Sequence, residues 1–330
     1  MFRRPSTSLA SIRAMTDISR FESVFSFDPK CHFSEYTLAD IAHAQNTLNS
    51  KTFFERLLEE VGIATKPRIY PPKNNRELRQ LHQAIIASKA SEDQKLALLY
   101  YLLKNVGASC HGKDVAEDFA SEVVISRRSW TFIEGIWELD HLHYAQALEI
   151  FASVSLPQNL AEELLDILLD LQKGEIAVAL YQTVNPSFSN PKVLQKYFTL
   201  ICQCSIADAY SFMHHQEDPS LFEILLAQAL SGQGPERARN CVELIDLPFT
   251  AEEEEKMYDF YLHGPGRNLP NAADVVVMRK IATGKLSEVE SDVRRLNVTK
   301  TPHDGMTWDN IVNSIGRGMG PRSNLPHLLD

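Results

Sequence analysis

The sequence has no run of about 18 apolar residues, so nothing in it reads as a membrane-spanning helix. Cysteine is scarce: five residues, at 31, 110, 202, 204 and 241. An odd, scattered set forms no disulfide framework, and the expected compartment is a reducing one, cytosol or nucleus. No Cys or His spacing matches a structural zinc site. Cys202 and Cys204 lie two apart on an expected helix and point to different sides, His214 and His215 are adjacent, and Cys31-His32 and Cys110-His111 are isolated pairs. There is no Gly-rich phosphate loop, since Gly264-Pro265-Gly266-Arg267 lacks the Lys-Ser/Thr continuation and reads as a helix-ending turn. A Gly-x-Ser-x-Gly elbow is missing too, as is the strict alternation of a half-buried strand. Basic residues are the minority, 33 Lys and Arg against 43 Asp and Glu, and the formal charge of −10 argues against general DNA or RNA binding. The expectation is an all-α chain with no metal, no cofactor and no small-molecule substrate.

What is present is helical periodicity, and it is organised around Ser129 to Leu180. Trp130, Ile133, Ile136 and Trp137 recur at helical spacing, then the chain breaks, then Tyr144, Ala147, Leu148 and Phe151 share one stripe. Asp140 stands at the break as a candidate N-cap of the second helix. The signature of that helix returns. Ala145-x-Ala147 is followed by Ala177-x-Ala179, Ala207-x-Ala209 and, more weakly, Ala238 to Cys241, at spacings of 32, 30 and 31 residues. A period in this range marks stacked helical hairpins.

The rest of the chain fits the same plan. Thr37 to Val61 reads as one helix closed by Gly62, followed by a rigid connector, Ile69-Tyr70-Pro71-Pro72. Asn75 is the expected cap of the next helix, and Ser91 opens another whose run from Leu96 to Leu103 is apolar almost all round and so should be covered on several sides. Helices are expected at 115–124, 160–171, 175–184, 190–204 and 206–215, with Asn190 before Pro191, the favoured first helical position. Further helices are expected at 221–230, 236–245, from Thr250 and at 271–283. The acids of Thr250-Ala-Glu-Glu-Glu-Glu255 suit the positive end of a helix dipole.

The ends differ. Met1 to Thr16 holds three Arg, several Ser and Thr and no acid, the composition of a mitochondrial presequence. The competing reading is an unstructured extension with Met15 as the working start. Residues 1–35 are expected as a flexible strap, 36–284 as the helical domain and 285–330 as a flexible tail. Apolar residues in segments too sparse to form a core are the expected protein-interaction anchors: Phe21, Val24 and Phe25 in the strap, Trp308, Ile311 and Val312 in the tail. Gly316-Arg317-Gly318-Met319-Gly320-Pro321-Arg322 has the flavour of a minor-groove hook but lacks its contiguous Arg-Gly-Arg-Pro core. Glu138, Asp140, His141 and His143 sit together at the hairpin break, where capping and solvent contact explain them more simply than acid–base chemistry.

In their order and spacing, several pieces resemble the ELYS helical domain of nuclear pore assembly proteins. They are Phe53-Phe54-Glu-Arg-Leu57-Leu58, Tyr70-Pro71-Pro72, Leu98-Leu99-Tyr100-Tyr101-Leu102-Leu103, Gly135-Ile136-Trp137-Glu-Leu139-Asp140-His141, Tyr144-x-x-Ala147-Leu148 and Gly174-x-x-x-x-Ala179-Leu180. The resemblance covers about residues 35–285 and looks like the short fungal form, without the N-terminal propeller or clear AT-hook of animal members. It implies a non-enzymatic nucleoporin of the outer-ring Y-shaped complex, at the nuclear pore in the nuclear envelope, docked on an arm formed by a propeller-plus-solenoid subunit and serving nucleocytoplasmic and mRNA transport. The missing hook weakens any chromatin contact through the tail. The rival readings are a mitochondrial helical-repeat protein binding RNA, which needs a cleaved leader and a basic face, and a helical-fold enzyme, which needs Glu138, His141 and His143 to converge on a polar pocket.

Overall fold

The computed structural model describes residues 17–25, 33–63, 69–107, 115–300, 302 and 305–318. The presequence-like Met1 to Thr16, Cys31-His32, Cys110-His111 and the hook beyond Gly318 lie outside them. Among the described residues there are eighteen α-helices and no strand. The chain divides into two compact units, Met1–Ser187 and Phe188–Asp330. Each stacks antiparallel helical hairpins in a solenoid-like way.

Unit 1 begins with a single helical turn, α1 (Phe21–Val24), and then α2 (Glu35–Thr47) and α3 (Phe53–Glu60). The sequence pattern suggested one helix here. Asn49 and Ser50 break it in the left-handed region, with φ of 55° and 69°. Thr52 then opens α3 with a capping box: its hydroxyl accepts the Glu55 N–H, and the Glu55 carboxylate accepts the Thr52 N–H at 2.8 Å. Apolar residues on both sides of the break continue the helical period and hide it. Buried Arg56 fastens the corner by donating to the carbonyls of Lys51 and Leu48.

After the Tyr70-Pro-Pro connector come α4 (Asn75–Ala87), capped by Asn74 rather than Asn75, and α5 (Glu92–Gly107). Every residue from Leu96 to Leu103 is buried, as its all-round apolarity requires. Around α5 lie α6 (Val115–Glu122) and α7 (Arg127–Asp140); α7 pairs with α8 (Tyr144–Phe151), and α9 (Gln158–Asp170) with α10 (Gly174–Val184). The α7–α8 hairpin is tight because of Gly135. A Cβ there would stand 2.6 Å from the Phe151 ring.

Unit 2 continues with α11 (Pro191–Cys204) and α12 (Ile206–Met213), then α13 (Ser220–Ala229) and α14 (Gly234–Asp246). Next are α15 (Ala251–Leu262), a 3-10 turn (Pro265–Asn268) and α16 (Ala272–Ala282). Leu221, Leu225, Leu226, Met257, Tyr261 and Val276 form much of its core. The alanines that occupy the close-packed position of the second helix in successive hairpins are Ala147, Ala177 and Ala209, all fully buried. Their spacings are therefore 30 and 32 residues: Ala177 matches Ala147, not Ala145, and the register expected from sequence is two residues off in that repeat.

The stretch from 285 onward, expected as a flexible tail, carries two further helices, α17 (Leu286–Arg295) and α18 (Trp308–Gly316). They build a small core of their own against α16 from Val277, Val289 and Val298. Few apolar residues suffice because buried Lys280 on α16 is paired with Asp292 and Glu288 of α17. An ion pair that replaces apolar area leaves no trace in a hydrophobicity pattern.

One buried group ties unit 1 together. Asp140, the last residue of α7, was the candidate cap of α8, but it faces the other way. Its carboxylate accepts the N–H groups of Phe53 and Phe54 at 2.6 and 3.0 Å, so it caps α3 from 87 residues downstream. It also accepts the Tyr101 hydroxyl at 2.7 Å. Phe54 stacks on Tyr101 with ring centroids 4.0 Å apart and touches Tyr70 at 4.9 Å. The helix that follows Asp140 has no side-chain cap. Burial pushes the Asp140 pKa up to about 7, against the three hydrogen bonds and the Arg56 charge that favour the anion.

Two outcomes follow for Asp140. Replacing it with Ala leaves two backbone donors and a buried hydroxyl unanswered, and should lower the unfolding free energy by about 3–5 kcal/mol in urea titrations. The sign of its pH dependence comes from a folded pKa above the unfolded value of about 3.9. The folded state holds the proton more tightly, so the contribution of Asp140 to stability is greatest below about pH 4 and declines as pH rises toward 7. Against Asp140→Asn, which does not titrate, the wild-type advantage should shrink between about pH 4 and about pH 7 and level off above that.

Candidate interaction surfaces

The strap residues expected to meet a partner are already occupied. Phe21, Val24 and Phe25 are buried in unit 1. The Phe21 and Phe25 rings stack at 4.8 Å, and both meet the His82 ring of α4 edge-on, at 5.6 and 6.0 Å. Arg79 lies over Phe21 at 4.1 Å and pairs with Glu22 at 2.7 Å. His82 Nε2 donates to the Ile18 carbonyl at 2.9 Å, which leaves its buried Nδ1 without a partner. Burial holds the His82 pKa below the usual imidazole value. The strap thus lies on α4.

The tail residues are half covered. Trp308 Nε1 donates to Asp274 Oδ1 at 2.6 Å, and Asp274 also accepts the Thr299 hydroxyl at 2.6 Å and its N–H at 3.0 Å. Trp308 and Val312 pack on the Val277–Val289–Val298 core. Ile311 is half-buried but stands outside that cluster. Of the six expected anchors, Ile311 is therefore the one least engaged by the protein's own core.

The hairpin-break residues come together only in part. Glu138 accepts from His143 Nδ1 at 2.8 Å at the surface, and His141 lies 6.3 Å from His143. His141 stacks on Trp137 at 3.7 Å and donates its Nδ1–H to the Trp137 carbonyl at 2.7 Å. Burial lowers its pKa. The Asp140 carboxylate is engaged in capping α3. This arrangement closes a helix end. Cys202 is buried and Cys204 exposed, on different sides of α11, and burial pushes the Cys202 thiol up to about 12. Among the described residues no group of His, Cys, Asp and Glu is arranged to hold a metal ion, and no helix is long and apolar enough to cross a membrane.

Sequence reasoning missed two concave surfaces. In unit 1 a hollow of about 320 Å³ opens between α3, α5 and α7, lined by Leu57, Val61, Ala97, Leu98, Phe132 and Ile133 among others. In unit 2 a groove of about 800 Å³ runs between the α12–α13 corner and α15. Its signal in the sequence was the acid run at 252–255. The four glutamates have different fates: Glu253 closes the Thr250 capping box, Glu254 pairs with Lys285 and buried Arg279, and Glu252 and Glu255 line the groove.

The strap generates a further outcome. His82 is neutral when folded, so the strap's stabilisation is complete above the unfolded imidazole pKa and is lost as pH falls through the lowered folded one. Glu22 and Arg79, the charges beside it, offset one another. Hydrogen-exchange protection of the Phe25 amide, corrected for intrinsic rate, should be present at neutral pH and fall in acid. Phe21→Ala should abolish it at every pH while α5 stays protected.

No curated protein matches the chain significantly. A family model, ELYS, described as nuclear pore complex assembly, matches residues 51–264, well over half of the chain. The matched span contains the residues that meet at Asp140: Phe53 and Phe54 from α3, Tyr70 from the Pro-Pro connector and Tyr101 from α5. These are the same short motifs that carried the resemblance. The chain belongs to the ELYS family of nuclear pore complex assembly proteins, and its place is the nuclear pore complex.

Proposed function

We propose that the protein is a structural nucleoporin of the outer-ring Y-shaped complex, held on the arm formed by a propeller-plus-solenoid subunit. It acts there by protein–protein binding, in pore assembly and in nucleocytoplasmic transport, mRNA included. The observation that carries this reading is the interior position of the residues on which the family resemblance rests. Phe54, Tyr70, Tyr101 and Asp140 are buried against one another and present nothing to a substrate. They hold helices in place, which is the work of a scaffold. The docking surface must then lie on the exposed faces of the hairpins or on α18, where Ile311 is the anchor we favour. The acidic surface supports a protein partner over a nucleic acid.

Co-elution of the full-length chain with a reconstituted Y-complex arm tests the reading. Binding at about micromolar concentration, worth roughly 8 kcal/mol, is the expected result. Ile311→Glu should weaken it at least about tenfold if α18 is the anchor. Absence of co-elution, together with a fluorescent fusion that does not mark the nuclear rim, would sink the proposal.

A further inference from the structure

The groove in unit 2 is built for a second kind of contact, whichever nucleoporin holds the chain. Its floor is apolar: Met213, Phe222, Leu226 and Phe260. Phe260 is seated there by Gly266, because a Cβ at that glycine would collide with the ring. The walls are acidic. Seven carboxylates line the groove, from Glu217, Asp218, Glu223, Glu252, Glu253, Glu255 and Asp259, against one lysine, Lys256.

Local structure accounts for some of these acids. Glu253 caps α15 and accepts the Tyr210 hydroxyl, Asp218 accepts from Ser220, and Glu252 is paired with Lys256 at 2.7 Å. Glu217, Glu223, Glu255 and Asp259 are exposed and carry no ion pair among the described residues. The carboxylates are spread along the walls and do not converge: among the described residues no cluster is shaped for a metal ion. A row of separated negative charges over an apolar floor matches a row of separated positive charges that brings apolar side chains with it.

The length of the site points the same way. Glu223, Phe260 and Pro265 also line an adjoining hollow of about 460 Å³, whose other walls include Ile224, Ala227 and Leu269. The two hollows adjoin along these residues as one track, whose acids lie in the first hollow with Glu223 alone at the second. That is more than one side chain needs and suits a peptide segment with two apolar anchors.

We propose that this track in unit 2 binds a Lys/Arg-rich peptide segment of a partner protein, with a bulky apolar side chain seated over Phe222 and Phe260 and basic side chains on Glu223, Glu255 and Asp259. Charge complementarity selects the occupant. Phosphate-bearing ligands and membrane surfaces are repelled, and a polyamine has the charge without the apolar anchor.

The test uses the full-length chain and a fluorescein-labelled synthetic peptide, rich in Lys and Arg and carrying one Trp and one Leu. Fluorescence anisotropy should give a Kd of about 10 μM or tighter at low salt, weakening as ionic strength rises. The triple variant Glu223→Lys, Glu255→Lys, Asp259→Lys should bind at least about tenfold more weakly. The three acids are exposed, so its circular dichroism and thermal midpoint should stay near wild type. A peptide with Ala for Trp should also lose about tenfold or more, and spermine should displace the parent peptide poorly. The proposal is overturned if the triple variant binds as well as wild type, if the anchorless peptide or spermine binds as well as the parent peptide, or if the parent peptide does not bind. None of these results bears on co-elution with the Y-complex arm, which is read with a different partner.

Discussion

A single buried carboxylate bears much of the organisation of unit 1. The first N–H groups of α3 have no partner within that helix, and they start in the interior where water cannot serve them. Asp140 answers two of them and a tyrosine hydroxyl besides. Its position at the C-terminal end of α7 is unfavourable for an anion, and its position at the N-terminal end of α3 is favourable. Burial opposes the charge further. The group is held because every oxygen has a donor, and the order of α3, α5 and α7 around it is fixed by those donors. Phe54 on Tyr101 and Tyr70 on Phe54 then close the site to water.

Most of the helices were legible because each presents one apolar stripe and a recognisable stop. What escaped the sequence was decided by contacts across the chain. Asp140 had the right residue type for a cap, but its target lay far upstream. The α2–α3 break was written in Asn49, Ser50 and the Thr52–Glu55 box, and the unbroken period of Phe53, Phe54 and Leu57 concealed it. The helices after 285 were invisible because Lys280 and Asp292 supply part of what leucines supply elsewhere. The strap aromatics were recognised as needing cover, yet nothing local indicated that α4 provides it. The groove was the least legible feature. Its acids come from α13, α15 and the turn between α12 and α13, and only the fold sets them side by side.

The negative charge of the chain is therefore not one property. Some carboxylates serve the fold as caps, ion-pair partners or hydrogen-bond acceptors: Asp140, Glu55, Glu254, Asp274 and Asp292. Others, such as Glu223, Glu255 and Asp259, stand exposed on a groove wall with no ion pair among the described residues. Membership of a pore-assembly family accounts for a body made of stacked hairpins, and the first group of acids helps to hold that body together. The second group gives one of its faces a sign, and so a preference among partners.

The Asp140 contact also sets an order of events during synthesis. When α3 leaves the ribosome, the residue that completes its N-terminal end has not been made, since it lies 87 positions further along. Loops of that span close late and at an entropic cost that local helices do not bear. Until α7 emerges, Phe53, Phe54 and the apolar run of α5 have no settled interior, and the nascent chain offers them to whatever holds unfolded segments in the cell. The same bond that fixes the finished architecture leaves the N-terminal end of α3 incomplete until translation has passed Asp140.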